Sequence, residues 1–170
     1  MRIDDLNFYL NDARILSKLL LGKILCISDE KSVKKFKITE TECYLGPEDS
    51  ASHAAHGKTK RAKIMWERGG TCYIYLNYGI HYMLNIVSGK EGQPQAVLIR
   101  GAGEFNGPGK LTKAAGIDMS FNYEDLLTSN KIWLEEGEKP KKIASLKRVG
   151  IGGASVKDQN RLWRYMTSEE

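Results

Sequence analysis

Apolar residues recur at helical spacing at Leu6, Tyr9, Leu10, Ala13, Leu16 and Leu20, a period that keeps one side of a helix apolar. Asp4 and Asp5 stand before the run and Gly22 after it, residue types that start and stop helices. The spacing predicts one amphipathic helix packed on a sheet. The period then changes. Residues 23–28 (KILCIS) and 34–44 (KKFKITETECY) alternate as two strands about the polar turn Asp29-Glu30-Lys31-Ser32. Residues 45–70 read as loop, punctuated by Gly46-Pro47 and Gly69-Gly70. Strands follow at 71–76 and 80–88, joined at Asn77-Tyr78-Gly79, and at 95–100 (QAVLIR). After Gly107-Pro108-Gly109, Lys110–Ala115 has the pattern of a short helix, and mixed short elements lead to the aromatic segment Trp163-Arg164-Tyr165.

Helix, paired strands and a late helix, with no repeat or linker, predict one α+β domain over residues 1–170. Its sheet should be mostly antiparallel and flanked by helices, with a protruding tyrosine-bearing hairpin. At 170 residues such a domain can bury a core without disulfides or metals. Lys18 and Lys23 interrupt the most apolar stretch around Leu19-Leu20-Leu21, well short of a membrane span. The early acidic residues lack the basic start of a signal peptide. Three cysteines, Cys26, Cys43 and Cys72, have no C-x-x-C spacing, which disfavours a disulfide framework or a thiolate zinc site. These features lead us to expect a soluble, cytoplasmic, bacterial protein, monomeric and without a membrane partner.

Charge adds a location. The net charge is +5, and residues 51–119 carry 9 Lys/Arg against 4 Asp/Glu while both flanks are nearly balanced. The same third holds His53, His56 and His81 and 11 of the 17 glycines. A basic, aromatic, Gly-rich segment suits an anionic partner such as nucleic acid, and equally a solvated basic face.

In strand 34–44, alternation puts Phe36, Ile38, Glu40, Glu42 and Tyr44 on one face and Lys35, Lys37, Thr39, Thr41 and Cys43 on the other. A carboxylate continuing a buried face is desolvated, which raises its proton affinity and suits general-base work. Glu40 and Glu42 also fit ion pairing with Arg or Lys at a sheet edge, the commoner use of such carboxylates. Tyr73, Tyr75, Tyr78 and Tyr82 crowd the next hairpin. Flat rings beside positive charge stack on bases, and an aromatic at a turn can wedge between base pairs, although tyrosine also favours strands for packing alone. Gly109-Lys110 is not a phosphate-binding loop, because Glu104 stands at the first glycine position and Leu111 follows the lysine. His53-Ala54-Ala55-His56, with Glu48 and Asp49 upstream, leaves a metal-dependent hydrolase open.

The run Ile38-Thr39-Glu40-Thr41-Glu42-Cys43-Tyr44-Leu45-Gly46-Pro47-Glu48-Asp49, then Ala51-Ser52-His53, closely resembles the signature of the alkyladenine (3-methyladenine) DNA glycosylase family. Tyr73-Ile74-Tyr75-Leu76-Asn77-Tyr78-Gly79-Ile80-His81-Tyr82 with Asn85 resembles its tyrosine-rich hairpin. Ala96–Arg100, Gly107-Pro108-Gly109-Lys110-Leu111 and Arg148-Val149-Gly150-Ile151 follow in the family's order. The resemblance spans roughly residues 10 to 165.

It implies a monofunctional glycosylase that flips alkylated or deaminated purines out of damaged double-stranded DNA and leaves an abasic site. The lesions it implies are 3-methyladenine, 7-methylguanine, hypoxanthine and etheno-adducts. By the same resemblance Glu42 is the general base that activates water, and Arg100 places that water and Glu42. Tyr44 and Tyr75 sandwich the flipped base, and His53 closes the pocket. Asn85 excludes normal guanine, and Tyr78 fills the vacated stack. Tyr73, Lys58, Lys60, Arg61, Lys63 and Lys110 serve the DNA backbone. No metal or cofactor is implied. A metal-dependent nuclease on Glu40, Glu42, Asp49 and His53, and a non-catalytic lesion-binding module, are the rival readings. The chain departs from the family at Thr59-Lys60-Arg61-Ala62, where members carry Thr-Pro-Arg-Asn, and at Cys43, where alanine is usual. It is also shorter between Arg100 and Gly107.

Overall fold

A computed structural model describes residues 1–168. The first apolar stretch forms two helices, α1 (Leu6–Tyr9) and α2 (Ala13–Leu20), where its spacing predicted one. The break lies at the polar pair Asn11-Asp12. Asn11 donates its amide back to Phe8 O at 2.9 Å, and Asp12 accepts from the Arg14 N–H at 2.9 Å, which starts a new helix. A side chain that satisfies backbone groups at both ends of a turn competes with continuous helix.

The strands follow the alternation within two residues. β1 (Ile24–Ser28), β2 (Val33–Tyr44), β3 (Cys72–Asn77), β4 (His81–Val87) and β5 (Ala96–Ala102) are joined by a short β6 (Phe105–Asn106). α3 (Pro108–Ala115), β7 (Ile132–Glu135), β8 (Lys142–Leu146), α4 (Val156–Gln159) and β9 (Arg164–Ser168) complete the described chain. The stretch 45–70 is not featureless loop, since 3₁₀ turns form at His53–His56 and Ala62–Trp66.

All pairings are antiparallel, in the order β3-β4-β5-β2-β1-β7, with β9 also on β2, β8 on β9 and β6 on β5. The twelve-residue β2 is the spine. Its first half pairs with β1, and its second half lies between β5 and β9. That central position supplies hydrogen bonds on both edges, so residues 40–42 are held rigidly.

The two faces of the sheet have different fates. Leu16 and Leu20 of α2 and Leu111 and Ala115 of α3 cover one face, burying Ile74, Leu84, Ile86, Val97 and Ile99. Val87, Ala96 and Tyr73 face the other way, under Ala54, Ile64 and Met65 of the 45–70 segment.

Strand β2 changes which face its even residues occupy, contrary to simple alternation. Phe36 and Ile38 enter the helix-covered core, but so does Cys43, and Thr41 donates its hydroxyl to Ser17 O on α2 at 2.9 Å. The pairing with β5 is irregular between Ile38 and Thr41. On β5 the core residues likewise shift from Val97 and Ile99 to Ala102. A local irregularity of this kind re-aims side chains. Glu40, Glu42 and Tyr44 are thereby turned away from Phe36 and Ile38 and onto the second face. They do not continue the apolar face, as the alternation implied.

Candidate active site

The second face carries a cavity of about 350 Å³. Glu42 and Tyr44 come from β2, Tyr73 and Tyr75 from β3, Met83 and Asn85 from β4, and Leu98 and Arg100 from β5. His53 and Arg61 enter from the 45–70 segment, Pro108 from the start of α3, and Val149–Ile151 from the loop after β8. Four adjacent strands thus deliver every second side chain to one hollow.

Glu42 is fully buried. Its Oε1 accepts from the Tyr44 hydroxyl at 2.9 Å, and its Oε2 accepts from the Val149 N–H at 2.6 Å. Arg100 Nη1 lies 3.6 Å from Oε1. Burial pushes the Glu42 carboxyl above its ordinary pKa, against the opposing pull of Arg100, the Val149 N–H, the Tyr44 hydroxyl and Arg148. Such a group holds a proton more tightly than a free carboxylate, as a general base must.

Arg100 is held from behind. Its Nε donates to Glu40 Oε1 at 3.1 Å, and the same oxygen accepts from Arg164 Nη1 at 3.2 Å. Arg164 is itself anchored through Nε to Lys147 O at 2.7 Å. The result is an alternating row, Arg164, Glu40, Arg100, Glu42, in which each charge faces an opposite one.

Across the hollow, His53 Nδ1 lies 2.7 Å from the Tyr73 hydroxyl. Burial, then Arg61 and His56, lower the His53 pKa to about 4, so the imidazole is neutral at physiological pH. Burial raises the Tyr73 hydroxyl, which stays protonated. The His53 ring stands edge-on to Tyr75, centroids 4.6 Å apart. The Arg61 guanidinium lies 5.7 Å from the centre of the Tyr75 ring. Burial likewise pushes the Tyr75 hydroxyl up to about 12. Asn85 is buried opposite Tyr73 in the β3–β4 register and donates to Tyr73 O at 3.2 Å.

The tyrosine turn forms part of the cavity's rim, lined there by Asn77 and Tyr78. Tyr78 is 87% exposed and has φ 52°, followed by Gly79 at φ 66°. Ile80 N–H closes the turn on Asn77 O at 3.0 Å. Two successive positive φ values suit a two-strand turn, but in a non-glycine residue they cost about 1–2 kcal/mol. An aromatic left exposed in that conformation contributes nothing to the core.

Glu42, Tyr44, His53, Tyr75, Asn85 and Arg100 therefore line one cavity. Tyr73 is 2% exposed, so it lies beneath the hollow as the partner of His53, away from any surface a DNA backbone could reach. Lys58, Lys60, Lys63 and Lys110 are exposed, and Lys58 Nζ lies 5.9 Å from the centre of the Trp66 ring. The glycine of Gly107-Pro108-Gly109 has a local cause, since a Cβ on Gly109 would meet the His81 ring at 2.9 Å.

Residue-level reasoning assigned no role to Arg148 and Val149. Arg148 is a buried arginine bound bidentately to buried Asp49, at 2.7 and 2.9 Å. Nothing in its local pattern marks a buried arginine; the signal was the block Arg148-Val149-Gly150-Ile151 itself. The donors of the rival metal site are engaged elsewhere, Asp49 by Arg148 and Glu40 by Arg100 and Arg164. Among the described residues no group of three or more His, Cys, Asp or Glu is disposed to hold a metal ion. Nor is any described helix long and apolar enough to cross a membrane.

The family model for methylpurine-DNA glycosylase (MPG) matches residues 7–105 and 103–170. A protein of Borreliella burgdorferi is 42% identical over 95% of this chain and 94% of its own length. One from Borrelia garinii subsp. bavariensis is 40% identical over the same shares. One from Rickettsia felis is 38% identical over 95% of this chain and 91% of its own length. All three are named, provisionally in each case, as 3-methyladenine DNA glycosylases.

Proposed function

The chain belongs to the methylpurine-DNA glycosylase family, and from that premise we propose how this DNA glycosylase works. It takes a damaged purine nucleotide out of duplex DNA and hydrolyses the N-glycosidic bond with a water activated by Glu42. The observation that carries the reading is the Glu42 carboxylate, fully buried in the cavity yet satisfied by Tyr44, Val149 and Arg100.

An alkylated purine is cationic and already a good leaving group, so the protein need supply little more than a placed water and a base. Glu42 accepts the water proton as its oxygen attacks the sugar C1′, the bond to the base nitrogen breaks, and the base departs with that bond's electron pair. Arg100, restrained by Glu40, orients the water and Glu42. The electron-rich faces of Tyr44 and Tyr75 suit a cationic base through cation–π attraction. Neutral His53, accepting a hydrogen bond from the Tyr73 hydroxyl at Nδ1, carries its own proton on Nε2 and donates a hydrogen bond from it to the base. Buried Asn85 leaves no room for the exocyclic amine of normal guanine. Exposed Tyr78 enters the stack where the base has left, and Lys58, Lys60, Arg61, Lys63 and Lys110 meet phosphates.

The test is base release from a duplex carrying 3-methyladenine, in the presence of EDTA. The expected products are free base and an uncut abasic strand, and Glu42→Gln lowers the rate by roughly 10²–10⁴-fold with lesion binding within a few-fold of the native chain. Strand scission that EDTA abolishes would identify a nuclease instead. Tight lesion binding with no release would identify a binding module.

A further inference from the structure

We propose that the buried Asp49–Arg148 pair is a positioning device that holds the Val149 amide against the Glu42 carboxylate. The inference rests on the reading of Glu42 as the base. Arg148 and Asp49 side chains are both 0% exposed. Burying such a pair carries a desolvation cost that apolar residues of the same size would avoid, so its packing value alone is a weak reason to have it.

Its geometry supplies a better one. Arg148 Nη1 donates to Asp49 Oδ2 at 2.7 Å and to Cys43 O at 3.1 Å, the carbonyl between Glu42 and Tyr44 on β2. Its Nη2 donates to Asp49 Oδ1 at 2.9 Å and to Asp158 O at 3.4 Å. The guanidinium centre lies 5.0 Å from the centres of both the Tyr44 and Trp163 rings. Asp49 in turn accepts from the Leu45 N–H at 3.0 Å and the Ala51 N–H at 3.1 Å. Residue 148 is thus tied to β2, to the 45–51 turn and to α4.

The next residue is Val149, whose N–H is 2.6 Å from Glu42 Oε2. Beyond it the chain is next held at Gly152 and Ala154, whose carbonyls accept from Gln159 Nε2 at 3.2 and 2.7 Å. Val149 and Gly150 are exposed, Gly150 has φ 73°, and a Cβ at Gly150, Gly152 or Gly153 would meet open space. The amide is therefore placed by the residue before it. The groups facing Glu42 are Glu40 and Tyr44 on its own strand, Arg100 on β5, Tyr75 on β3, Arg164 on β9 through Glu40, and Arg148 with the Val149 amide. Of these the Val149 amide alone hydrogen-bonds Oε2, at 2.6 Å, so loosening it withdraws a donor that the partners of Oε1 cannot replace.

The experiment is a ¹³C titration of glutamate carboxyls in the full chain, with the Glu42 resonance identified by its loss in Glu42→Gln. Asp49→Asn and Arg148→Lys keep size or charge but break the bidentate fork. In each folded variant the Glu42 midpoint is expected to rise by about one pH unit. The acid limb of kcat for base release should move up with it, with KM within two-fold of the native value. An unchanged midpoint in a folded variant overturns the proposal, because a merely structural pair would change stability and leave Glu42 where it was. If neither variant folds, the native chain decides through its Val149 amide resonance. A signal that is protected from exchange and shifts in step with Glu42 supports the proposal, and one that exchanges freely overturns it. A native chain that releases no base overturns the glycosylase reading separately, since the carboxyl titration does not need turnover.

Discussion

Tyr44 donates its hydroxyl to Glu42 Oε1 at 2.9 Å from two positions along the same strand, so the pair shares one face of β2 and moves as one unit. Burial and the neighbouring Glu42 charge keep the phenol protonated and donating. The donor stabilises the ionised form of Glu42, and its removal raises the carboxyl's proton affinity further. A general base works only when deprotonated, so with Glu42 in the proposed role activity is expected to fall as pH drops through its pKa. In Tyr44→Phe that acid limb is expected about half to one pH unit higher, with the high-pH rate lowered no more than a few-fold. A pH–rate profile under single-turnover conditions checks this, and an unmoved limb would refute it.

Tyr78 separates stability from function. Its positive φ costs about 1–2 kcal/mol in a tyrosine, and Tyr78→Gly relieves that strain while adding about 0.5–1 kcal/mol of backbone entropy cost. The two nearly cancel, so urea unfolding of the variant should match the native chain. Lesion-duplex affinity and base release should nonetheless fall about 10-fold, in line with the loss of one stacked base contact. Undiminished release would mean that the exposed ring has no part in DNA engagement.

Glu40 is the carboxylate between two guanidiniums, 3.1 Å from Arg100 and 3.2 Å from Arg164. Glu40→Gln leaves Arg164 without its counter-charge and Arg100 with Glu42 alone, in a nearly buried setting. A loss of about 2–3 kcal/mol in urea unfolding is expected, together with roughly 10-fold slower base release as Arg100 loses its restraint. Native stability and native rate together would show that Arg100 needs no support from behind.

The strands were legible because their apolar residues alternate, and alternation survives in a sheet covered on both faces only partly but in large part. Val97 and Ile99 against Leu98 and Arg100 illustrate it, the first pair in the helix-covered core and the second on the cavity. The single helix expected over residues 6–20 was not legible as two, because Asn11 and Asp12 end one helix and begin the next through side-chain hydrogen bonds that apolar spacing does not register. The same limit applied to β2. The irregular pairing between Ile38 and Thr41 reverses the facing of Glu40 and Glu42, and it involves both β2 and β5, so no pattern within one strand reports it.

By itself, the sequence determined the residue types of the site and their order along the chain. Glu42, Tyr44, His53, Tyr75, Asn85 and Arg100 stand in motifs specific enough to mark the family, and the elements that carry most of them follow from local periodicity. The tertiary structure decided what those residues experience. Proton affinity depends on burial and on partners distant in the chain, such as Arg100, Val149 and Arg148 beside Glu42, and such partners meet only when the sheet closes. The roles of Tyr73 beneath His53 and of Arg148 behind Val149 come from the same cause. A buried position is a property of the whole packed chain, whereas a motif is a property of a few neighbouring residues.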